Sequence, residues 1–332
     1  MNSMHATRRA MGRRRLLAAG AALPLAAGKA AAQGYPSRPV TIIVAYPPGG
    51  ATDVVGRLVA ERLRDRLGQP VVVDNRPAGG ATIGMAAAAR AAPDGHTLVI
   101  GNGHTLSINP FLFADPGYVA TRDFTPISLV CTTQNLVVVH PSVPVASLAE
   151  LIAYAKARPG QLNYASTGSG SPGHLAAELF KSMAGIDMVH VPYRGAAPVL
   201  ADMLSGRVQV YFAVPTSVTG VIRDGRLRAL AVTGARRSAL FAELPTVQEA
   251  GLPGFVVESW YGLLGPAGLP PEVLSRLHRD TLAILQDPEL RSRLAAGGLE
   301  PASSTPQEFA ELIRTELDRW GPVVRASGAK VE

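Results

Sequence analysis

One event recurs along this chain and restricts its fold more than any other: a β-branched run, a glycine-rich turn, then a helix. It occurs at Pro47–Asp53, Asn75–Thr82, Ser166–His174 and Tyr193–Ala197. The runs before these turns include Val40-Thr41-Ile42-Ile43-Val44-Ala45-Tyr46 and Val71-Val72-Val73-Asp74-Asn75. The first is mostly apolar without alternation, as in a strand of a parallel sheet covered on both faces. Val55, Leu58, Val59, Leu63 and Leu67 put one apolar stripe on a helix from about Thr52 to Leu67. A helix is expected at 81–91 and a strand at 97–100. The pattern resumes with strands at 135–139, 162–166, 188–192 and 208–212. Helices at 147–157, 173–184 and 196–204 lie between them, and Ser147 with Glu150 reads as a capping box. A strand at 227–232, a helix near Val247, an extended segment 255–264 and helices at 271–285 and 305–323 complete the reading. Such alternation predicts α/β architecture in two lobes, with mainly parallel sheets. Periodicity alone leaves open whether the last hundred residues join the first lobe.

The 332 residues suit two domains. With 47% hydrophobic and 17% charged residues, the chain is neither disordered nor fibrous. A single cysteine, Cys131, excludes intramolecular disulfides and clustered-thiolate metal sites, and it reads as a buried, inert thiol. The formal charge of +7 suggests nucleic acid at first sight. However, Arg8, Arg9, Arg13, Arg14, Arg15 and Lys29 lie in the first 32 residues, where there is no acid. The remainder is close to neutral and has no basic run, so no nucleic-acid partner is expected.

Those 32 residues have the form of a secretory signal: a basic stretch, the apolar run Leu16–Ala27, then Ala30-Ala31-Ala32. The apolar run is too short to span a bilayer of about 30 Å. Export to the periplasm with cleavage near Ala32 is expected, by the general or, given Arg13-Arg14-Arg15-Leu16-Leu17, a twin-arginine route.

In parallel sheets, ligands sit beyond the carboxyl ends of strands, where helix N-termini present free N–H groups and favour an anion. The turn Ser166-Thr167-Gly168-Ser169-Gly170-Ser171-Pro172-Gly173-His174 is the richest in donors. It satisfies GxGxxG literally, but Pro172 removes a helix N–H and no acid ends the next strand, so a dinucleotide site is disfavoured. The alternatives are an anion-binding turn and a plain N-cap. Pro47-Pro48-Gly49-Gly50 lacks the lysine of a P-loop. Asp53 either complements the helix dipole, accepts from a ligand, or fixes the loop. Asn75 and Arg76 end another strand. No HExxH, paired-cysteine or GxSxG motif is present, and His96, His104, His140, His174 and His190 are scattered. No cofactor, metal or catalytic residue is expected. Trp260-Tyr261 lines a cleft or packs a core.

In this order and spacing, several segments resemble the Bug family, the extracytoplasmic solute-binding receptors of tripartite tricarboxylate transporters. They are Tyr35-Pro36-Ser37-Arg38-Pro39-Val40, Ala45-Tyr46-Pro47-Pro48-Gly49-Gly50 with Asp53, and Leu67-Gly68-Gln69-Pro70 through Asp74-Asn75-Arg76-Pro77-Ala78-Gly79-Gly80. Pro93-Asp94-Gly95-His96, Tyr164-Ala165-Ser166-Thr167-Gly168, His174-Leu175-Ala176-Ala177-Glu178 and Val191-Pro192-Tyr193-Arg194-Gly195 follow. Trp260-Tyr261-Gly262-Leu263 and Pro266-Ala267-Gly268-Leu269-Pro270 close the pattern. The resemblance implies a two-lobed, periplasmic-binding-protein-like (type II) α/β fold. Lobe one would be residues 33–134 and 233–332, and lobe two residues 135–232. It implies a carboxylate held between the lobes by Pro48, Gly49, Ala51, Thr52 and Asp53 from one side. Ser166, Thr167, Ser169, Gly170 and Ser171 would grip it from the other, with Ala213 nearby.

Family members often carry an acid after the strand that here reads Tyr211-Phe212-Ala213-Val214. Its absence removes a partner for a ligand ammonium and favours a plain mono- or dicarboxylic acid over an amino acid. The expected partners are a small carboxylate and membrane permease subunits, with the receptor itself a monomer. Two other readings remain: a module docking a membrane sensor, and a secreted α/β hydrolase using His174 and a nearby serine.

Overall fold

The protein was analysed as a computed structural model that describes residues 34–193 and 195–329. The expected export segment, its expected cleavage point and Arg194 lie outside the described residues. From the amino end the elements are β1 (Val40–Val44), α1 (Ala51–Leu67), β2 (Val71–Asn75), α2 (Thr82–Ala89) and β3 (Thr97–Asn102). A π-helical turn, His104–Ile108, leads into α3 (Asn109–Leu112) and the long β4 (Phe124–Gln134). Then come β5 (Leu136–Val139), α4 (Leu148–Lys156), β6 (Asn163–Ser166), α5 (Pro172–Ala184), β7 (Val189–Pro192), α6 (Ala196–Leu204), β8 (Val210–Ala213), α7 (Pro215–Arg223) and β9 (Arg228–Val232). The chain finishes with β10 (Glu258–Pro266), α8 (Pro271–Ile284), α9 (Pro288–Ala296), β11 (Glu300–Pro301) and α10 (Pro306–Ser327).

Two sheets result. One has the order β11-β4-β10-β3-β1-β2, the other β7-β6-β8-β5-β9. In the first, β1, β2 and β3 are parallel and β10 is inserted antiparallel between β3 and β4. In the second, β7, β6 and β8 are parallel and β5 runs against both β8 and β9. Most strands of each sheet point one way, the two-lobed α/β arrangement expected.

Each sheet is covered on both faces, which explains the unbroken apolar runs. Val40, Ile42 and Val44 bury against α1 and α8 through Leu58, Leu63 and Leu277, while Ile43 and Val99 bury with Met85 and Phe309 on the other face. In the second sheet Val137, Tyr164 and Phe212 pack with α4 and α5, and Val138, Ala165 and Tyr211 with α6 and α7. Ser147 caps α4 by accepting from the Glu150 N–H. The Glu150 carboxylate reaches back to the Ala146 N–H at 2.6 Å, one residue beyond a standard capping box.

The helix expected near Val247 is a turn. Thr246 bridges Val232 in parallel, and Glu249 accepts the Thr246 N–H at 3.0 Å. These bonds satisfy the backbone without a helix. Val247, Leu252, Phe255 and Val257 bury on the second sheet. Helix α10 serves both halves: Phe309 and Ile313 enter the first core, Trp320 and Val324 the second. Between β4 and β5 the chain crosses from sheet to sheet beside residues 233–234. Thr233 exchanges hydrogen bonds with Asn135, and the Gly234 N–H donates to Gln134.

Candidate functional site

Strand order fixes where a cleft opens. In the first sheet β2 lies to one side of β1 and β3 to the other, so the loops leaving β1 and β3 diverge. In the second, β7 and β8 flank β6 in the same way. Such reversals leave a crevice beyond the strand ends. Both crevices open on one cavity of about 610 Å³. Tyr46, Pro47, Pro48, Gly50, Ala51 and Thr52 line it from the end of β1, and Asn102, Gly103 and His104 from the end of β3. Thr167, Gly168, Ser169, Ser171 and Pro172 line it from the end of β6, Val214 from the end of β8, and Ser259 and Tyr261 from β10.

The β1 turn is held by Asp53, the third residue of α1. Its Oδ2 accepts from the Gly49 N–H and from Arg57 Nε, both at 2.9 Å, and its Oδ1 accepts from Asn75 Nδ2 at 2.8 Å. Burial opposes ionisation of this carboxyl, but the hydrogen bonds from Arg57, Gly49 and Asn75 outweigh it and leave the pKa below the ordinary value. Asn75 Nδ2 also donates to the Tyr46 carbonyl at 3.1 Å. Thr52 Oγ1 accepts from Asn102 Nδ2 at 3.3 Å, tying the β1 exit to the β3 exit.

The β6 turn is held differently. The Gly170 N–H donates to His174 Nδ1 at 3.0 Å, and Ser171 caps α5 by accepting from the His174 N–H. Gly170 has φ +76°, a conformation that most side chains resist. Gly173 allows α5 to meet the sheet: a Cβ there would sit 2.6 Å from the Phe212 carbonyl oxygen. The N-terminus of α5 therefore lies against the strand ends with its first residues in the cavity.

Among the described residues, the cavity wall contains hydroxyls, amides, prolines and two tyrosines, but no Asp, Glu, Lys or Arg. His104 is its one imidazole, and burial pushes its pKa down to about 4, which keeps the ring neutral.

Of the residues expected from sequence to touch a ligand, Pro48, Ala51, Thr52, Thr167, Ser169 and Ser171 line this cavity together. Gly49, Asp53, Ser166 and Gly170 sit behind the wall. Gly49 and Gly170 spend their amides on Asp53 and His174. Ser166 is fully buried, with Oγ 2.7 Å from His190 Nε2. Ala213 is buried in β8, and its neighbour Val214 faces the cavity. Arg76 pairs with Asp74 at 2.8 Å and is not on the wall. Among the described residues, the glycine turns after the edge strands β2 and β7 contribute nothing to the lining. Sequence reading missed Tyr46, Asn102, Gly103, His104, Val214, Ser259 and Tyr261 as a group, although Trp260-Tyr261 had drawn notice. Cys131 is buried and its thiol pKa is pushed well above normal by that burial. Among the described residues no cluster of metal-ligating side chains occurs, and no helix is long and apolar enough to cross a membrane.

Two covered sheets whose strand-order reversals share one cleft define a binding protein of the periplasmic type. The chain belongs to the tripartite tricarboxylate transporter receptor family, whose pattern matches residues 55–329. It is 38% identical over 315 residues to the protein BugT of Bordetella pertussis, covering 95% of each chain. Among solved structures, it resembles Rpa4515 of R. palustris, determined with adipate. That match has TM-score 0.75 and 37% identity and covers 89% of this chain and 98% of that one. It also resembles MatC of Rhodopseudomonas palustris with bound malate. Here the TM-score is 0.71 and the identity 31%, over 87% of this chain and all of that one. These relatives are solute-binding receptors rather than enzymes, and the family is extracytoplasmic.

Proposed function

We propose that this receptor captures a small mono- or dicarboxylic acid between its lobes and hands it to the permease of a tripartite transporter. The observation that carries the ligand class is the cleft wall. Two helix N-termini and a set of hydroxyls converge on it, with no acidic side chain to repel an anion or pair an ammonium. Pro48, Ala51, Thr52, Thr167, Ser169 and Ser171 grip the carboxylate, while Tyr46, Asn102, His104, Val214, Ser259 and Tyr261 surround the remainder. The adipate and malate held by its relatives support this chemistry. In this reading the protein is exported with cleavage near Ala32 and works as a monomer against membrane permease subunits. Its lobes divide at Gln134–Asn135 and Val232–Thr233, where β4 gives way to β5 and where β9 ends.

Calorimetry against adipate, malate, hexanoate and glutamate tests the ligand class. At least one plain acid should bind, and glutamate should not. Binding of glutamate with no response to the other three acids would reverse the assignment.

A further inference from the structure

Two histidines lie directly beneath the serine-rich turn, and neither faces the cleft. His174, in α5, is 4% exposed, and His190, in β7, is half-buried. Their rings stack with centroids 4.0 Å apart and planes 20° apart, and Tyr164 of β6 stacks on His190 at 4.9 Å. Each ring controls one glycine amide of the turn. His174 Nδ1 accepts the Gly170 N–H. His190 Nε2 meets Ser166 Oγ, which in turn accepts the Gly168 N–H at 3.2 Å and donates to the Gly168 carbonyl at 3.0 Å.

From this geometry we infer that His174 and His190 are a positioning pair, holding the turn in its ligand-gripping shape only while the His174 ring is neutral. The inference rests on the reading of that turn as half of the carboxylate grip. Because Nδ1 of His174 accepts from an amide, its ring proton must reside on Nε2. A second proton on Nδ1 would set an N–H against the Gly170 N–H and break the contact. Protons on both rings would place two like charges about one ring-width apart.

Among the described residues, the titratable groups facing the pair are Tyr164 from β6 and Glu178 and Lys181 from α5. Glu178 accepts from the Tyr164 hydroxyl and from Lys181 Nζ at 2.8 Å, so its charge is already engaged. Burial, then the neighbouring His190, hold His174 down to about 4; Glu178 pulls the other way. Burial likewise lowers His190. The turn is therefore intact at neutral pH and loosens on acidification. This also accounts for the histidine that a hydrolase reading would recruit: its Nδ1 is spent on a backbone amide.

Leucine and asparagine have nearly the same shape, but only asparagine places an acceptor where Nδ1 lies. His174→Leu should weaken adipate binding roughly tenfold at neutral pH, and His174→Asn should largely restore it. In ligand-free wild type, the Gly170 amide resonance should titrate with the His174 ring, and in His174→Asn it should stay flat. Wild-type affinity in a folded His174→Leu, or a Gly170 resonance unmoved while His174 titrates, would overturn the inference. If His174→Leu does not fold, the ligand-free titration decides alone. If wild type binds no acid, that titration still decides the pair, and only the receptor reading falls.

Discussion

The two turns that face each other across the cleft share one frame and differ in one side chain. In each, a glycine with positive φ, Gly49 (+88°) or Gly170 (+76°), precedes the N-cap of a helix. In each, that glycine's N–H donates to the side chain four residues on, the third residue of the helix. Lobe one uses a carboxylate there, Asp53, and lobe two an imidazole, His174. The carboxylate is the stronger acceptor, yet it adds a negative charge beside a site built for an anion. Arg57 and Asn75 are needed to offset it. The imidazole binds its amide with no net charge and needs no counterion, but it fails at a higher pH. An anion-binding turn thus has two requirements: outward amides for the guest, and an internal acceptor that keeps the rest of the turn in place.

Removing the charged acceptor should have the largest effect. Asp53→Ala leaves the Gly49 N–H and Asn75 Nδ2 without their partner and should cost about 3 kcal/mol of stability. Denaturant unfolding measures it. A loss no larger than that of an ordinary surface substitution would mean the β1 turn holds itself, and the parallel with lobe two would break.

Gly173→Ala comes next. The added methyl would lie 2.6 Å from the Phe212 carbonyl oxygen, a backbone atom that cannot swing aside. The expected cost is about 2 kcal/mol. The counterpart in lobe one is Gly56→Ala, where the nearest atom is Val44 Cγ2 at 2.7 Å. A side-chain methyl yields more readily, so Gly56→Ala should cost about 1 kcal/mol. Equal melting-temperature shifts for the two variants would show that the helices approach their sheets with the same tolerance.

Acid separates the acceptors further. His174 is lowered from 6.5 to about 4 in the folded state, so between those values the unfolded chain binds more protons. Stability therefore falls as pH drops through that window. Asp53 is lowered below its ordinary 3.8, so its contribution is complete above that pH and is lost only at lower values. Stability plotted against pH should be shallower between about 6.5 and 4 in His174→Asn, with the slope that remains belonging to His104 and His190. In Asp53→Ala it should be displaced downward but run parallel to wild type. A wild-type slope in His174→Asn would remove the histidine from the acid response.

Sequence revealed these turns only partly, for a physical reason. Glycine and hydroxyl content announced Pro47–Asp53 and Ser166–His174 because their chemistry is local. Content could not distinguish them from the turns at 75–82 and 193–197, which follow edge strands and whose described residues miss the cleft. Whether a strand end lies at a reversal depends on which strands pair, and that is non-local. The same limit hid Asn102, Gly103 and His104, where Gly101-Asn102-Gly103 at the end of β3 leads into a π-helical turn. It also hid Ser259 and Tyr261, brought in by a strand that returns antiparallel beside β3 from more than 150 residues away. Asp53 and His174 were noticed, one as an ambiguous carboxylate and the other as a candidate base. Their shared role emerges only when the two helix starts are superposed residue for residue.

The smallest effect belongs to Arg57. Its guanidinium meets Asp53 at 2.9 Å, but its side chain is 54% exposed while that of Asp53 is 4% exposed. Water already solvates most of the cation, so the ion pair should contribute little to stability. Gly49 and Asn75 donate to the carboxylate from positions fixed by the fold, and they remain after Arg57→Gln. Stability should then drop only slightly, and the drop should shrink further as salt rises. The charge is a sharper probe than the stability. Without Arg57, the Asp53 carboxylate is less compensated beside the ligand, so binding of a dianion such as malate should weaken more than binding of hexanoate. Equal weakening of both acids, measured by calorimetry at matched ionic strength, would mean the Asp53 charge is not felt in the cleft. The two acceptors would then differ in acid sensitivity alone.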